Sequence, residues 1–260
     1  MSESPITHLA PMHDLPSGLT SPAKGALTFG IPVVDDFLKS GRRRGGLHEF
    51  YAAPLPHGKG EEGQAAAALA LLLGARACTG KRPLMWVRIA ASRAGACPYA
   101  PGLAELGMNP DAMMLMEAPD LAALMIAGVD SVRHGGLGAV VMEVQGRAPR
   151  LDLTASRRLA LAAECSGTTV LLVRSGAVPT PSAAHSRWEV ASAPSTPLAA
   201  NAPGHPVFDL TLLRQRGGPC GLHVQLEWNR EQAIFRTSLS GSVLAVSAGA
   251  AADRRRNRAA

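Results

Sequence analysis

Aromatic side chains are scarce in this sequence, three Trp, two Tyr and five Phe among 260 residues. Near the arginines considered below, only Trp188 offers a ring for base stacking, which argues against a strong single-strand nucleic-acid binder. Cysteine is also sparse. Cys78, Cys97, Cys165 and Cys220 form no C-x-x-C pair, so neither a zinc site nor a disulfide framework is indicated, and they read as small buried hydrophobes. No apolar run reaches the roughly 18 residues of a membrane span; the longest, Ala65 to Ala75, is cut short by Arg76. The first 19 residues lack the basic start and apolar stretch of a signal peptide. A soluble, cytoplasmic protein with no membrane contact is expected.

What is present suffices for a sizeable core, with 47% hydrophobic and 18% charged residues. That excludes whole-chain disorder and suits one large domain or one domain with an appendage. The net charge of +6 divides evenly. The tail from Asp253, with Arg254, Arg255, Arg256 and Arg258, carries +3, and the other 252 residues carry the remaining +3. Such a balance suits an anionic partner and equally suits plain solubility.

From Gly46 onward, strand and helix patterns alternate. Leu47–Ala52, Pro83–Ile89, Met113–Glu117, Ala139–Val144 and Thr168–Val173 read as strands, the last two as apolar runs buried on both faces. Gln64–Thr79 is apolar on nearly all sides, a buried helix. Asp120 caps a helix with Leu121, Leu124, Met125, Val129 and Val132 on one face, stopped by Gly135-Gly136. Asp152–Ser166, closed by Gly167, is another. This order predicts a parallel sheet covered on both sides. Ser175–Pro206 is rich in Pro, Ser and Ala and reads as a long mobile loop. Val207–Arg216, Leu222–Trp228 and Ala233–Leu239 then alternate as an antiparallel meander.

In such a sheet, ligands bind beyond the carboxyl ends of the strands. There, Ala53-Pro54-Leu55-Pro56-His57-Gly58-Lys59-Gly60 matches the phosphate-cradling pattern G-x-x-x-x-G-K-[ST] only at Gly58 and Lys59. Ala53 replaces the first glycine, and Gly60 replaces the hydroxyl residue that holds magnesium. Two prolines remove N–H donors, and Glu61 and Glu62 put negative charge where phosphates belong. No Asp or Glu occurs between Trp86 and Ala104, where a catalytic carboxylate would follow the second strand. Glu143 stands where a Walker B acid would be. Gly58, Lys59, Gly60 and Glu143 thus read as a vestigial nucleotide loop, with no catalytic residue, no metal site and no ATP or magnesium requirement.

The stretch Leu27–Arg174 resembles the RecA-type recombinase core. The likeness rests on Gly30-Ile31-Pro32-Val33-Val34-Asp35-Asp36-Phe37-Leu38, Gly45-Gly46-Leu47-His48-Glu49-Phe50, the strand around Trp86, Tyr99-Ala100, Leu106-Gly107 and Gly138-Ala139-Val140-Val141. Within that superfamily, Tyr99-Ala100-Pro101-Gly102-Leu103, Leu151–Leu159, Leu161-Ala162-Ala163-Glu164, Ser186-Arg187-Trp188, Leu213–Gly218 and Leu226-Glu227-Trp228 resemble the ImuA family. The resemblance covers about four fifths of the chain.

It implies a RecA-like three-layer α/β fold with a mainly parallel sheet and a small C-terminal antiparallel β extension. The expected divisions are a disordered segment (1–24), the RecA-like core (25–180), a Pro/Ser/Ala-rich loop or linker (181–206), the β extension (207–242) and a disordered basic tail (243–260). It further implies a bacterial accessory protein of SOS mutagenesis and DNA repair. Its partners would be ImuB, a polymerase-like protein lacking activity, an error-prone DNA polymerase for translesion synthesis, and RecA. Two alternatives stand beside this reading: an ATP-dependent DNA-binding RecA-like ATPase, and a stress-induced inhibitor of a cell-division or recombination filament. Candidate contacts for DNA or a partner are Arg42, Arg43, Arg44, Arg147, Arg174, Arg187 and Trp188. Each phosphate contact would add to salt-sensitive affinity. Arg157 and Arg158, about 100° apart on their helix, are expected to leave at least one paired with Asp152 or Glu164.

Overall fold

The computed structural model describes residues 27–38, 45–55, 63–79, 81–90, 99–238 and 245–246. Ends expected to be disordered (1–24 and 243–260, apart from 245–246), the arginines Arg42–Arg44 and the loop residues Gly58, Lys59 and Gly60 lie outside the described residues.

Among the described residues, five α-helices alternate with strands: α1 Pro32–Phe37, α2 Gly63–Ala77, α3 Ala100–Glu105, α4 Leu121–His134 and α5 Leu153–Ser166. The strands are β1 Gly46–Ala52, β2 Leu84–Ile89, β3 Met113–Ala118, β4 Ala139–Gln145, β5 Thr169–Ser175, β6 Ser186–Ala193, β7 Val207–Gln215, β8 Leu222–Asn229, β9 Ile234–Thr237 and β10 Ala245–Val246. The two longest amphipathic helices begin and end as their sequences dictate. Asp120 accepts a hydrogen bond from Ala123 N–H (2.8 Å), and Asp152 accepts one from Ala155 N–H (2.8 Å). Gly135 and Gly167 close the same helices in the left-handed conformation. Upstream, Asp35 of α1 gathers the entering chain, accepting from Thr28 Oγ1, Phe29 N–H and Gly30 N–H.

Among the described residues all ten strands join one sheet, in the order β3-β2-β4-β5-β1-β6-β7-β8, with β9 and β10 both on β8. The pairings from β3 through β6 are parallel and those beyond are antiparallel. Helix α2 covers one face and α4 with α5 the other, so the fold is a three-layer α/β arrangement with an antiparallel C-terminal extension. Alternate residues of a central strand feed opposite cores. On β4 and β5, Val141, Leu171 and Val173 pack under α2 with Phe50, Leu69 and Leu72, while Val140, Met142 and Leu172 pack under α5 with Leu47, Leu159 and Ala163.

The segment read as a mobile loop, Ser175–Pro206, is corrected by β6. This strand pairs with β1 in parallel and with β7 antiparallel, joining the two halves of the sheet. Its polar residues are buried because they find partners in the neighbouring strand, which hides the hydrophobic alternation.

Candidate functional site

The carboxyl ends of β1, β2, β4 and β5 are where this architecture places ligands. By alternation along the strands, Arg88, Glu143 and Ser175 share the α2 side of the sheet with Trp86, Val141 and Val173. Helix α2 starts hard against this end, since a Cβ on Gly63 would lie 2.8 Å from Ser175 Oγ. Arg88, 6% exposed, donates from Nε to Glu117 Oε1 of β3 at 3.1 Å. Burial pushes the Glu143 carboxyl up, and the Arg88 cation and the Trp86 indole pull it back down.

A magnesium–triphosphate needs a hydroxyl after the loop lysine and an ionised carboxylate free to hold the metal's water. Here Gly60 has no hydroxyl, the charge of Arg88 acts on Glu143, and burial favours that acid's neutral form. A magnesium ion there would also meet the repulsion of the Arg88 cation. This donor set does not fit a magnesium nucleotide.

On the opposite side of the same strand ends lies a second charged cluster. Pairing in register places Glu49 beside Arg187 and Tyr51 beside Arg174. Arg187 Nε donates to Glu49 Oε2 at 2.9 Å, and its terminal nitrogen donates to Thr180 O (2.6 Å) and Ser182 Oγ (2.9 Å). The Tyr51 hydroxyl donates to Glu49 Oε2 at 3.4 Å, while the guanidinium carbons of Arg174 and Arg187 stand 5.8 and 5.6 Å from the Tyr51 ring centre. Burial, then Glu49, raises the Tyr51 hydroxyl's pKa against the opposing pull of Arg187 and Arg174. Arg174 also donates to Gly146 O (3.3 Å), tying the loop after β4 to β5.

These contacts correct three of the candidate contact residues. Arg174 is 5% exposed, Arg187 8% and Trp188 0%. Trp188 packs edge-on against Phe29 at 5.4 Å, and its indole donates to Ser186 Oγ at 2.9 Å. It anchors its own fold. The two buried arginines pin loops and a buried acid, and present no surface to phosphates. Among the described candidates, Arg147 alone is exposed.

At the amino end of β1, a further polar knot forms. His48 Nδ1 lies 2.8 Å from Ser186 Oγ, and burial, then His185, lowers the His48 pKa to about 3. Glu164 of α5 meets His185 Nε2 (3.1 Å) and Arg216 (2.7 Å). Burial opposes its charge, yet the hydrogen bonds from Arg216 and His185 win and hold that carboxyl below its ordinary value.

Both acids expected to pair with Arg157 or Arg158 are therefore engaged elsewhere, Asp152 at the helix cap and Glu164 with Arg216 and His185. The side chains of Arg157 and Arg158 are both exposed and make no hydrogen bond or ion pair with the described residues. The expected pairing is corrected. Beside them stand two leucines the sequence reading passed over, Leu153 and Leu161, 37% and 61% exposed. The signal of Leu161 was legible, since it falls off the face defined by Ser156, Leu159, Ala160 and Ala163, whereas Leu153 lies at that face's edge, about 20° from Ala160.

No family model matches the chain. Two curated relatives do, both named "Protein ImuA", from Caulobacter vibrioides strains NA1000 / CB15N and ATCC 19089 / CIP 103742 / CB 15. Each is 35% identical over 209 residues, covering 75% of this chain and 80% of the relative. Among solved structures, the crystal structure of SulA from Pseudomonas aeruginosa overlaps 49% of this chain and 96% of its own, at 23% identity and a TM-score of 0.36. That overlap is too loose to bear on function.

Proposed function

We propose a function from one premise: the chain belongs to the ImuA family. The protein is a non-catalytic accessory factor of an error-prone translesion synthesis complex, acting in the cytoplasm during DNA-damage-induced mutagenesis. It works by protein–protein contacts, with an ImuB-like inactive polymerase as first partner and with RecA and an error-prone DNA polymerase in the same assembly. Consistent with a cytoplasmic place, no described helix is long and apolar enough to cross a membrane.

The observation that carries the non-catalytic reading is Arg88 beside Glu143 at the strand ends, together with Gly60 in the hydroxyl position. A water-activating carboxylate is what ATP turnover requires there, and an arginine supplies the opposite charge. The scaffold is retained as a platform for other proteins.

The test combines binding and genetics. Tagged full-length protein, recovered from damaged cells with and without nuclease, should bring down the polymerase-like partner in both cases. Calorimetric titration with Mg-ATP should show no heat of binding, and Lys59→Ala should leave damage-induced mutation frequency unchanged. Failure to recover the partner would remove the accessory reading. ATP binding lost with Lys59→Ala would install the ATPase reading instead.

A further inference from the structure

We infer that the outward stripe of α5, Leu153–Arg157–Leu161 with Arg158 alongside, is the docking surface for an acidic amphipathic segment of a partner protein. The inference rests on the accessory reading above and deepens it by naming the surface and the chemistry it selects.

Helix α5 has already spent its apolar face on the fold. Ser156, Leu159, Ala160, Ala162 and Ala163 are buried against the sheet and α4. The outer face then needs only to be soluble, a task Glu, Lys or Gln does at no loss of helix propensity. It carries leucines instead. Single exposed leucines are ordinary, but these two lie on one i, i+4, i+8 ridge, about 12 Å apart along the axis and about 80° apart around it, with Arg157 midway. Arg158 lies three residues before Leu161 and Arg157 four before it, so both guanidinium groups flank the more exposed leucine.

The charge of the occupant follows from where the acids have gone. Asp152 caps the helix and Glu164 turns to Arg216 and His185, which leaves Arg157 and Arg158 without an acidic partner among the described residues. Arg147 and Arg150, both exposed in the loop just before α5, add two more cations to this end. A positive field around an apolar stripe selects a negative surface with apolar anchors.

A nucleic-acid backbone satisfies only half of that description. Phosphates would take the arginines and leave Leu153 and Leu161 in water. A helix with leucines along one side and glutamates flanking them satisfies both, in the manner of helix-face recognition.

The probe is a fluorescein-labelled, helix-forming 20-residue peptide with leucine at i, i+4 and i+7 spacing and glutamates between, titrated by anisotropy against the full chain. A single-stranded oligonucleotide of similar charge runs in parallel. The peptide should bind, weaken by about tenfold with Arg157→Glu/Arg158→Glu, and weaken severalfold with Leu161→Ser, with both variants melting as the parent does. No peptide binding at millimolar concentration, or binding indifferent to these changes, overturns the inference. Tight oligonucleotide binding that needs the arginines and ignores Leu161→Ser overturns it in favour of nucleic acid.

Recovery from damaged cells separates this failure from that of the accessory reading. If the parent brings down the polymerase-like partner and the α5 variants do so equally well, only the docking surface falls. If the parent itself brings down nothing, the accessory reading falls with it.

Discussion

Among single residues, Arg187 holds the most. Its guanidinium neutralises Glu49, which is 2% exposed, and at the same time fastens Thr180 and Ser182 of the chain leading into β6. Arg187→Leu leaves the Glu49 charge buried without its cation, with only the long Tyr51 hydroxyl contact, and should lower the unfolding free energy in urea by about 3–5 kcal/mol. His48 sets a pH dependence. Its folded pKa, about 3, lies far below the unfolded value of 6.5, so the unfolded chain takes up the proton first. Its contribution is fully present above pH 6.5 and is lost as the pH falls from there toward 3, at up to about 1.4 kcal/mol per pH unit. Glu164, held below its ordinary value, adds loss of the same sign at lower pH. A His48→Gln variant should show a flatter stability profile than the parent between pH 6.5 and 4.5 in denaturant melts.

Among the elements, the junction into β1 decides how α5 seats against the sheet. Gly45 has φ of +66°, and a Cβ there would fall 2.0 Å from Ala163 O, in the last turn of α5. No side-chain rotation relieves a clash with backbone, and an L-residue is strained at that φ as well. Gly45→Ala should therefore destabilise by about 3 kcal/mol, read as a lowered midpoint in thermal or chemical melts. Contrast Gly128 on α4, where the obstructing atoms are the thioether end of Met142, which can swing away. β6 shows the same dependence on neighbours. It has only Trp188 and Val190 as strong apolar signals, and its buried Ser186 and Arg187 look polar until His48 and Glu49 are seen opposite them.

For the whole molecule, one continuous sheet has a consequence for cooperativity. The hydrophobic cluster under α2 runs from Leu69 and Phe50 through Trp188 and Leu210 to Trp228 and Phe235. The antiparallel strands therefore share a core with the parallel ones and are hydrogen-bonded to them through β6. Calorimetry should give a single transition with equal calorimetric and van't Hoff enthalpies. A chain ending at residue 180 would strip β1 of β6, leaving a fully buried strand as an unpaired edge, and should be recovered only as aggregate. Two separate transitions would contradict this account.

Most elements of the fold were legible because their signals are local. The helix caps at Asp120 and Asp152, the closing glycines 135 and 167, and the doubly buried runs of β4 and β5 need no knowledge of distant residues. The departures from the phosphate-loop pattern at Ala53 and Gly60 are likewise read from composition, while the loop itself, residues 56–62, lies outside the described residues. Tertiary structure alone decided which charges are spent. Arg174, Arg187, Arg157 and Arg158 look alike in a sequence, yet the first two are buried against a carbonyl and an acid while the last two face water. Whether a charge is available depends on partners brought from 21, 28, 52 or 138 residues away, as in His185–Glu164, Arg174–Gly146, Arg216–Glu164 and Arg187–Glu49. Electrostatic pairing acts through space, and only the folded chain fixes those distances.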